Sequence, residues 1–93
     1  MNNQDKLLNS EFDIVWERII KNQGETFYTI SGLELIYKVE NDTLTHNRST
    51  FVIPKTLLKK AYLQTPIKSL SQLKHLRAYS YLYAILTDKR ICN

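Results

Sequence analysis

Basic side chains and no acid occupy residues 46–60, HNRSTFVIPKTLLKK, where they are His46, Arg48, Lys55, Lys59 and Lys60. The planar guanidinium of Arg48 can donate paired hydrogen bonds to a phosphate or to a guanine edge. Lys55 and Lys59 are four residues apart, so on a helix their ammonium groups point to the same side. The spacing predicts a contact with phosphate groups. A lysine-rich face in solvent explains the three lysines equally well.

The start of the helix that carries these lysines offers a second means of holding phosphate. Pro54 precedes Lys55, and proline suits a first helical turn because it has no N–H to satisfy. Free N–H groups and the helix dipole attract anions to an N-terminus. We therefore expect Arg48 and this helix start to hold a backbone phosphate, with Lys55, Lys59 and Lys60 beside them.

More cations follow in the last twenty residues and widen this predicted surface: Lys74, Arg77, Lys89 and Arg90. Three tyrosines lie among them: Tyr79, Tyr81 and Tyr83. Tyrosine rings stack on unpaired bases, but they also pack at interfaces with a wet hydroxyl. At this alternate spacing, a half-buried core or dimer contact is the commoner role.

The charge is unevenly divided along the chain. The net charge is +4, but residues 1–46 carry −4 and residues 47–93 carry +8, with Asp88 as their single acid. This asymmetry favours a polyanionic partner, unless the two halves neutralise each other in the fold. We predict a non-enzymatic protein that binds nucleic acid, or is associated with it, with low sequence specificity. The alternative is a protein-interaction module or homodimer, anchored by Trp16 or the tyrosines.

Catalytic motifs are nearly absent from the sequence. With only Gly24 and Gly32, the chain has no glycine-rich phosphate loop. His46 and His75 lack the spacing of metal ligands, and Cys92 lies next to the C-terminus. We expect no catalytic residue, cofactor or metal. An enzyme would need one of the histidines to meet a carboxylate in a cleft.

Cysteine usage and hydropathy indicate the compartment. A single cysteine forms no internal disulfide, which favours a reducing environment. The start, MNNQDKLLNSEF, lacks the features of a signal peptide, and no apolar run approaches the roughly 20 residues that span a bilayer. We expect a cytoplasmic protein without a membrane segment.

The elements that position these residues follow from apolar periodicity, beginning with an N-terminal helix. The length of 93 residues fits one small domain, 1–93. An apolar face recurs at helical spacing: Phe12, Val15, Trp16, Ile19 and Ile20. It predicts a helix over about residues 11–22, capped by Ser10 and stopped at Gly24. Residues 1–9 are expected to be disordered.

The middle of the chain predicts an antiparallel meander. Apolar and polar residues alternate over 33–40, after a β-prone run at 26–30. Asn41-Asp42 is a turn pair, and residues 43–46 and 50–53 can form further strands. We expect three or four strands.

The last third predicts two or three helices. One spans about 55–64 and ends before Pro66, because the residue before proline resists helical geometry. A short helical turn, a break near 78–80 and a helix at 81–87 follow, although one continuous helix over 71–87 is an alternative. Because strands cluster instead of alternating with helices, the fold class is α+β.

Residues 24–91 resemble a small domain of uncharacterised bacterial proteins. In that pattern a Phe-x-Thr strand, a Gly turn, a Tyr-x-Val strand, an Asn turn and an Arg-Ser/Thr segment precede an Ile-Pro-Lys helix start. The matching positions are Phe27, Thr29, Gly32, Tyr37, Val39, Asn41, Arg48, Ser49, Ile53, Pro54 and Lys55. The resemblance implies a bacterial or mobile-element setting near DNA-processing systems. It implies no particular activity and no catalytic residue.

Overall fold

The computed structural model describes the backbone of residues 3–92 and the side chains of residues 11–92. Helix α1 (Asn3–Lys21) is followed by the strands β1 (Thr26–Tyr28), β2 (Glu34–Glu40), β3 (Thr43–His46) and β4 (Ile53–Pro54). Four helical elements complete the chain: α2 (Lys55–Tyr62), the 3-10 helix η1 (Leu70–Leu73), α3 (Tyr79–Leu86) and α4 (Lys89–Cys92). This order confirms the predicted α+β class, with an N-terminal helix, an antiparallel sheet and C-terminal helices.

Helix α1 buries the predicted apolar face and is longer than predicted. Phe12, Val15, Trp16 and Ile19 are all at most 5% exposed, whereas Ile20 is 36% exposed at the edge of this face. The predicted start at Ser10 is wrong, because the helix begins at Asn3. Residues 3–10 contain no glycine or proline, so nothing local stops the helical hydrogen-bond ladder from extending.

The predicted disorder of residues 1–9 stays a prediction. Met1 and Asn2 lie outside the described residues, and residues 3–9 are described by their backbone alone.

Strand β2 fixes the C-terminal end of α1. The Tyr37 hydroxyl donates to the Ile19 carbonyl at 2.6 Å, and the Gly24 N–H donates to the Tyr37 carbonyl at 2.9 Å. Gly24 has φ +86°, a conformation that glycine adopts at helix ends without a Cβ clash. Burial raises the pKa of the Tyr37 hydroxyl far above its usual value, so this donor stays protonated. The helix therefore ends where the sequence predicts, close to Gly24.

The four strands form one antiparallel sheet in chain order, β1-β2-β3-β4. Phe27 pairs with Leu35, and Leu44 pairs with both Val39 and Ile53. Asn41 and Asp42 both have positive φ, as a two-residue hairpin turn requires. One face of the sheet is buried against the helices, which confirms the alternation in the sequence.

The C-terminal helices follow the predicted pattern with small shifts. Helix α2 ends at Tyr62, two residues before the predicted boundary. The predicted break is present at Ala78, which has φ +61° and precedes α3. Within residues 3–92, no helix is both long and apolar enough to cross a membrane.

Candidate functional site

An open groove of about 690 Å³ lies between the β3–β4 loop and the start of α3. We call it the β3–β4 groove; its lining is Ser49, Thr50, Phe51, Val52, Arg77, Ala78 and Tyr81. Hydroxyls, a guanidinium and two aromatic rings therefore share one concavity. Its volume falls in the range of small-molecule sites, about 300–1,000 Å³.

The loop that forms one wall is fastened to β2 by Asn47. Its side-chain oxygen accepts from the Ile36 N–H at 2.9 Å, and its backbone N–H donates to the Ile36 carbonyl at 3.1 Å. Its side-chain amide also donates to the Glu34 carbonyl at 3.3 Å. Asn47 thus extends the strand pairing by one residue and holds the loop that carries Arg48.

The opposite wall depends on the backbone at Ala78. A non-glycine residue at φ +61° is strained by about 1–2 kcal/mol, because its Cβ crowds the following carbonyl. The Ala78 carbonyl accepts from the N–H groups of Tyr81 and Leu82, so α3 begins at once. This turn lies beside Arg77, whose Cζ is 4.1 Å from the centroid of the Phe51 ring. A guanidinium is thereby held over an aromatic ring at the groove.

His46 supports the groove from the end of β3. Its ring centroid lies 4.8 Å from that of Tyr81, and its Nδ1 accepts from the Arg48 N–H at 3.2 Å. Burial lowers the pKa of His46, and the accepting Nδ1 requires the proton of the neutral ring to be on Nε2. Within residues 11–92, Nε2 is buried without a hydrogen-bond partner. His46 therefore favours the neutral state and connects the loop to Tyr81.

Among the predicted phosphate-binding residues, Arg77 lines this groove, and Arg48 belongs to the loop that forms one of its walls. Arg48 is exposed, immediately precedes the lining residue Ser49, and makes one long Nη1 contact of 3.4 Å with the Glu34 carbonyl. Arg77 is exposed and lines the groove directly. Lys74 is also exposed and precedes Arg77 by three residues.

The three lysines of α2 belong to another part of the surface. The Lys55 ammonium lies 5.4 Å from the centroid of the Trp16 ring on α1, and Lys60 is exposed on the same helix. Lys59 is half-buried. These lysines share one short helix, as predicted, but Lys55 faces α1 instead of the groove.

The predicted phosphate site at the start of α2 is already partly occupied by the chain itself. The Lys55 N–H donates to the Asp42 carbonyl at 2.9 Å, and Pro54 has no N–H. Asp42 belongs to the β2–β3 turn, so this bond fastens the hairpin to the helix. The first N–H of α2 is consequently not available to an anion.

Arg90 is bound within the fold. It forms an ion pair with Asp88 at 2.9 Å, donates from Nη2 to the Thr26 carbonyl at 2.9 Å, and lies 4.0 Å from the Phe27 ring. These contacts attach α4 to strand β1 at the sheet edge. Its neighbour Lys89 is exposed. Although both residues were predicted to bind nucleic acid, the contacts of Arg90 are those of a structural residue.

Sequence reasoning missed Phe51 as a site residue. Phe51 is half-buried, packs against the core and lies under Arg77. Its position directly after Arg48-Ser49-Thr50 was the one available signal, since its partner is 26 residues away along the chain. Tyr79, Tyr81 and Tyr83 all pack against the core as half-buried side chains, and Tyr81 also lines the groove.

A second cleft, of about 310 Å³, lies between α1 and the C-terminal helices. Its charged groups and its tyrosine already have partners: Arg18 Nη1 donates to the Ile91 carbonyl at 3.0 Å, and the Tyr62 hydroxyl donates to Glu11 at 3.1 Å. Over residues 11–92, no group of three or more His, Cys, Asp or Glu side chains is arranged to hold a metal. The β3–β4 groove is therefore the better candidate.

Comparisons of the chain with protein-family models, with curated proteins and with solved structures found no match. The resemblance of residues 24–91 to a small bacterial domain stays a prediction.

Proposed function

We propose that this chain is a non-enzymatic nucleic-acid-binding protein whose contact surface centres on the β3–β4 groove. The observation that carries the proposal is that Arg77 lines the groove while Arg48 directly precedes its lining residue Ser49. Neither forms an ion pair with any carboxylate of residues 11–92, where Arg90–Asp88 is the single salt bridge. Cations without internal counterions are the groups that gain most from a phosphate partner.

The remaining cations extend the contact without setting its position. Lys74 lies near Arg77 in sequence, and Lys55, Lys59 and Lys60 supply charge from α2. Phosphate contacts orient the ligand and contribute affinity, whereas the hydroxyls of Ser49 and Thr50 suit many different bases. The expected binding is consequently weakly dependent on sequence and strongly dependent on salt.

A salt titration tests this proposal. Binding of labelled oligonucleotides is measured by fluorescence anisotropy at increasing salt, and the logarithm of the association constant should fall linearly with that of salt concentration. Each neutralised phosphate contributes a slope of about 0.7 for single strands and about 0.9 for B-DNA. The double variant R48A/R77A should lower the slope by the equivalent of about two phosphates. Absence of binding at low salt, or binding without a slope, would exclude the proposal.

A homodimer is the second candidate, and one observation favours it. Large apolar side chains around the β1–β2 turn are exposed: Tyr28 by 60%, Ile30 by 65% and Leu33 by 46%. They adjoin β1, an edge strand of the sheet, and edge strands with apolar neighbours are pairing sites. The exposed acid Glu34 directly follows this turn and the exposed acid Glu25 directly precedes β1, and residues 47–93 of a second copy, with their charge of +8, could contact both.

Sedimentation equilibrium separates the two candidates. A stable dimer that dissociates in an I30E variant and ignores nucleic acid would support the homodimer and replace the nucleic-acid proposal. A monomer that binds nucleic acid in a salt-dependent way would support the nucleic-acid proposal and exclude the homodimer.

A further inference from the structure

We propose that the β3–β4 groove accepts an unpaired base, so that single-stranded nucleic acid is preferred over a duplex. This inference rests on the proposed function and specifies its ligand. The concave shape of the site favours an unpaired base. Base edges in a duplex lie inside its grooves and are reached by a protruding helix or ribbon. A concave site of about 690 Å³ instead suits a base that leaves its strand and enters it.

Arg77 and Phe51 already form a cation–π contact in the groove. The Arg77 guanidinium lies over the Phe51 ring, with Cζ 4.1 Å from the ring centroid. Arg77 is exposed and lines the groove, so the side of its guanidinium away from Phe51 is available to a second planar group. Unpaired bases stack on guanidinium planes as well as on aromatic rings. A base on Arg77 would continue the stack outward from Phe51.

The groups around this stack suit the rest of a nucleotide. Tyr81 borders the groove with a ring held against His46, while Ser49 and Thr50 are exposed and carry hydroxyls. The Ser49 oxygen accepts from the Phe51 N–H at 3.3 Å, which leaves its own proton free to be donated. Arg48, directly before Ser49, supplies a guanidinium for the adjoining phosphate. RNA and DNA strands both offer the base and the phosphate that these groups would contact.

The test uses the full chain and fluorescein-labelled probes of equal length: a single DNA strand, a single RNA strand, the corresponding duplexes, and a DNA strand with abasic sites. We expect each single strand to bind at least about fivefold more tightly than its duplex, since one stacked base contributes about five- to hundredfold. The abasic strand should lose that advantage. Comparison of the two single strands shows whether the protein prefers DNA or RNA.

The decisive variant is Arg77→Lys, compared with Arg77→Ala. Lysine keeps the charge but not the planar group, so R77K should weaken single-strand binding several-fold, and by more than it weakens duplex binding. R77A should weaken binding to single strands and to duplexes. Phe51→Leu should have the same effect on binding as R77K. Because Phe51 packs on the core, the melting temperature of the F51L variant is measured as well. If F51L is unfolded, the variants of the exposed Arg77 still test the stack.

The outcomes are distinguishable. Equal affinity for strands, duplexes and the abasic strand, with R77K indistinguishable from the unchanged chain, would overturn this inference and leave nucleic-acid binding standing. Failure to bind any probe at low salt would overturn both.

Discussion

Two arginines of this protein lie on phenylalanine rings at almost the same distance, but in different surroundings. Arg77 lies 4.1 Å from the Phe51 ring, and Arg90 lies 4.0 Å from the Phe27 ring. Arg90 also donates to both oxygens of Asp88 and to the Thr26 carbonyl. For Arg77, no hydrogen bond to another residue of 11–92 accompanies the ring contact. A ring positions a guanidinium, but hydrogen bonds decide whether its donors remain available to a ligand.

The distribution of acids explains why the two sites differ. Asp88 is the single acid of residues 47–93, and it lies two residues from Arg90. Arg90 also donates its backbone N–H to Asp88, at 2.9 Å. Asp88, the single acid of residues 47–93, therefore stabilises α4 through its bonds to Arg90. No neighbouring acid in sequence is left for Arg48 or Arg77.

The largest expected effect comes from reversing charge at the groove. The variant R48E/R77E should lower single-strand affinity at low salt by more than about hundredfold, because two attractions to phosphate become repulsions. The matched control K59E/K60E makes the same change in net charge on α2 and should lower single-strand affinity by about tenfold or less. Anisotropy titrations measure both. Equal losses would show that net charge, and not the groove, determines binding.

The second effect concerns stability. R90A should lower the free energy of unfolding by about 1–2 kcal/mol, through loss of the ring contact and the bond to Thr26. The ion pair itself contributes less, because the Arg90 side chain is 38% exposed. R77A loses the ring contact alone, so it should lower the free energy of unfolding by about 0.5–1 kcal/mol, less than R90A does. Urea denaturation checks this contrast, and an equal loss in the two variants would remove the distinction between them.

The ion pair of Arg90 should also give a pH dependence. The side-chain hydrogen bond from Arg90 lowers the pKa of Asp88 below its usual value. Its contribution to stability is therefore present above the unfolded-state pKa, about 3.9, and is lost as the pH falls through the lower folded-state value. D88N should be less stable than the unchanged chain at pH 7, and the difference should close in acid. A constant difference from pH 7 to pH 2 would show that the charge of Asp88 is unimportant.

The smallest expected effect concerns His46 beneath the groove. Because burial lowers the pKa of His46, the unfolded chain takes up a proton at a higher pH than the folded chain. Stability should decline as the pH falls below about 6.5, and H46Q should reduce that slope. H75Q, at an exposed position, is the control. If the two variants have the same slope between pH 7 and pH 5, the buried environment of His46 has no thermodynamic consequence.

Much of the fold could be predicted because local patterns determine it. The spacing of Phe12, Val15, Trp16 and Ile19 identified the buried face of α1, and Asn41-Asp42 identified a turn that needs positive φ. The start of α1 could not be found in this way, since Ser10 is an acceptable cap that the helix simply passes through. Local signals locate a boundary only where the chain has no favourable continuation.

The candidate site could be predicted in composition but not in arrangement. Arg48 and Arg77 were recognisable as candidates, whereas the contact between Arg77 and Phe51 depends on how the β3–β4 loop packs against α3. The same limit explains Lys55, which meets Trp16 across the fold, and Arg90, which meets Thr26. Nothing local indicates which cation a distant carbonyl or ring will hold.

The most direct measurement is a salt titration of single-strand binding with R77A and R90A side by side. We predict that R77A weakens binding and lowers the salt slope by about 0.7, the value for one phosphate contact on a single strand. R90A should retain the slope and affinity of the unchanged chain under conditions where it is folded. Equal changes in the two variants, or no change in R77A, would contradict the assignment of the groove as the nucleic-acid contact.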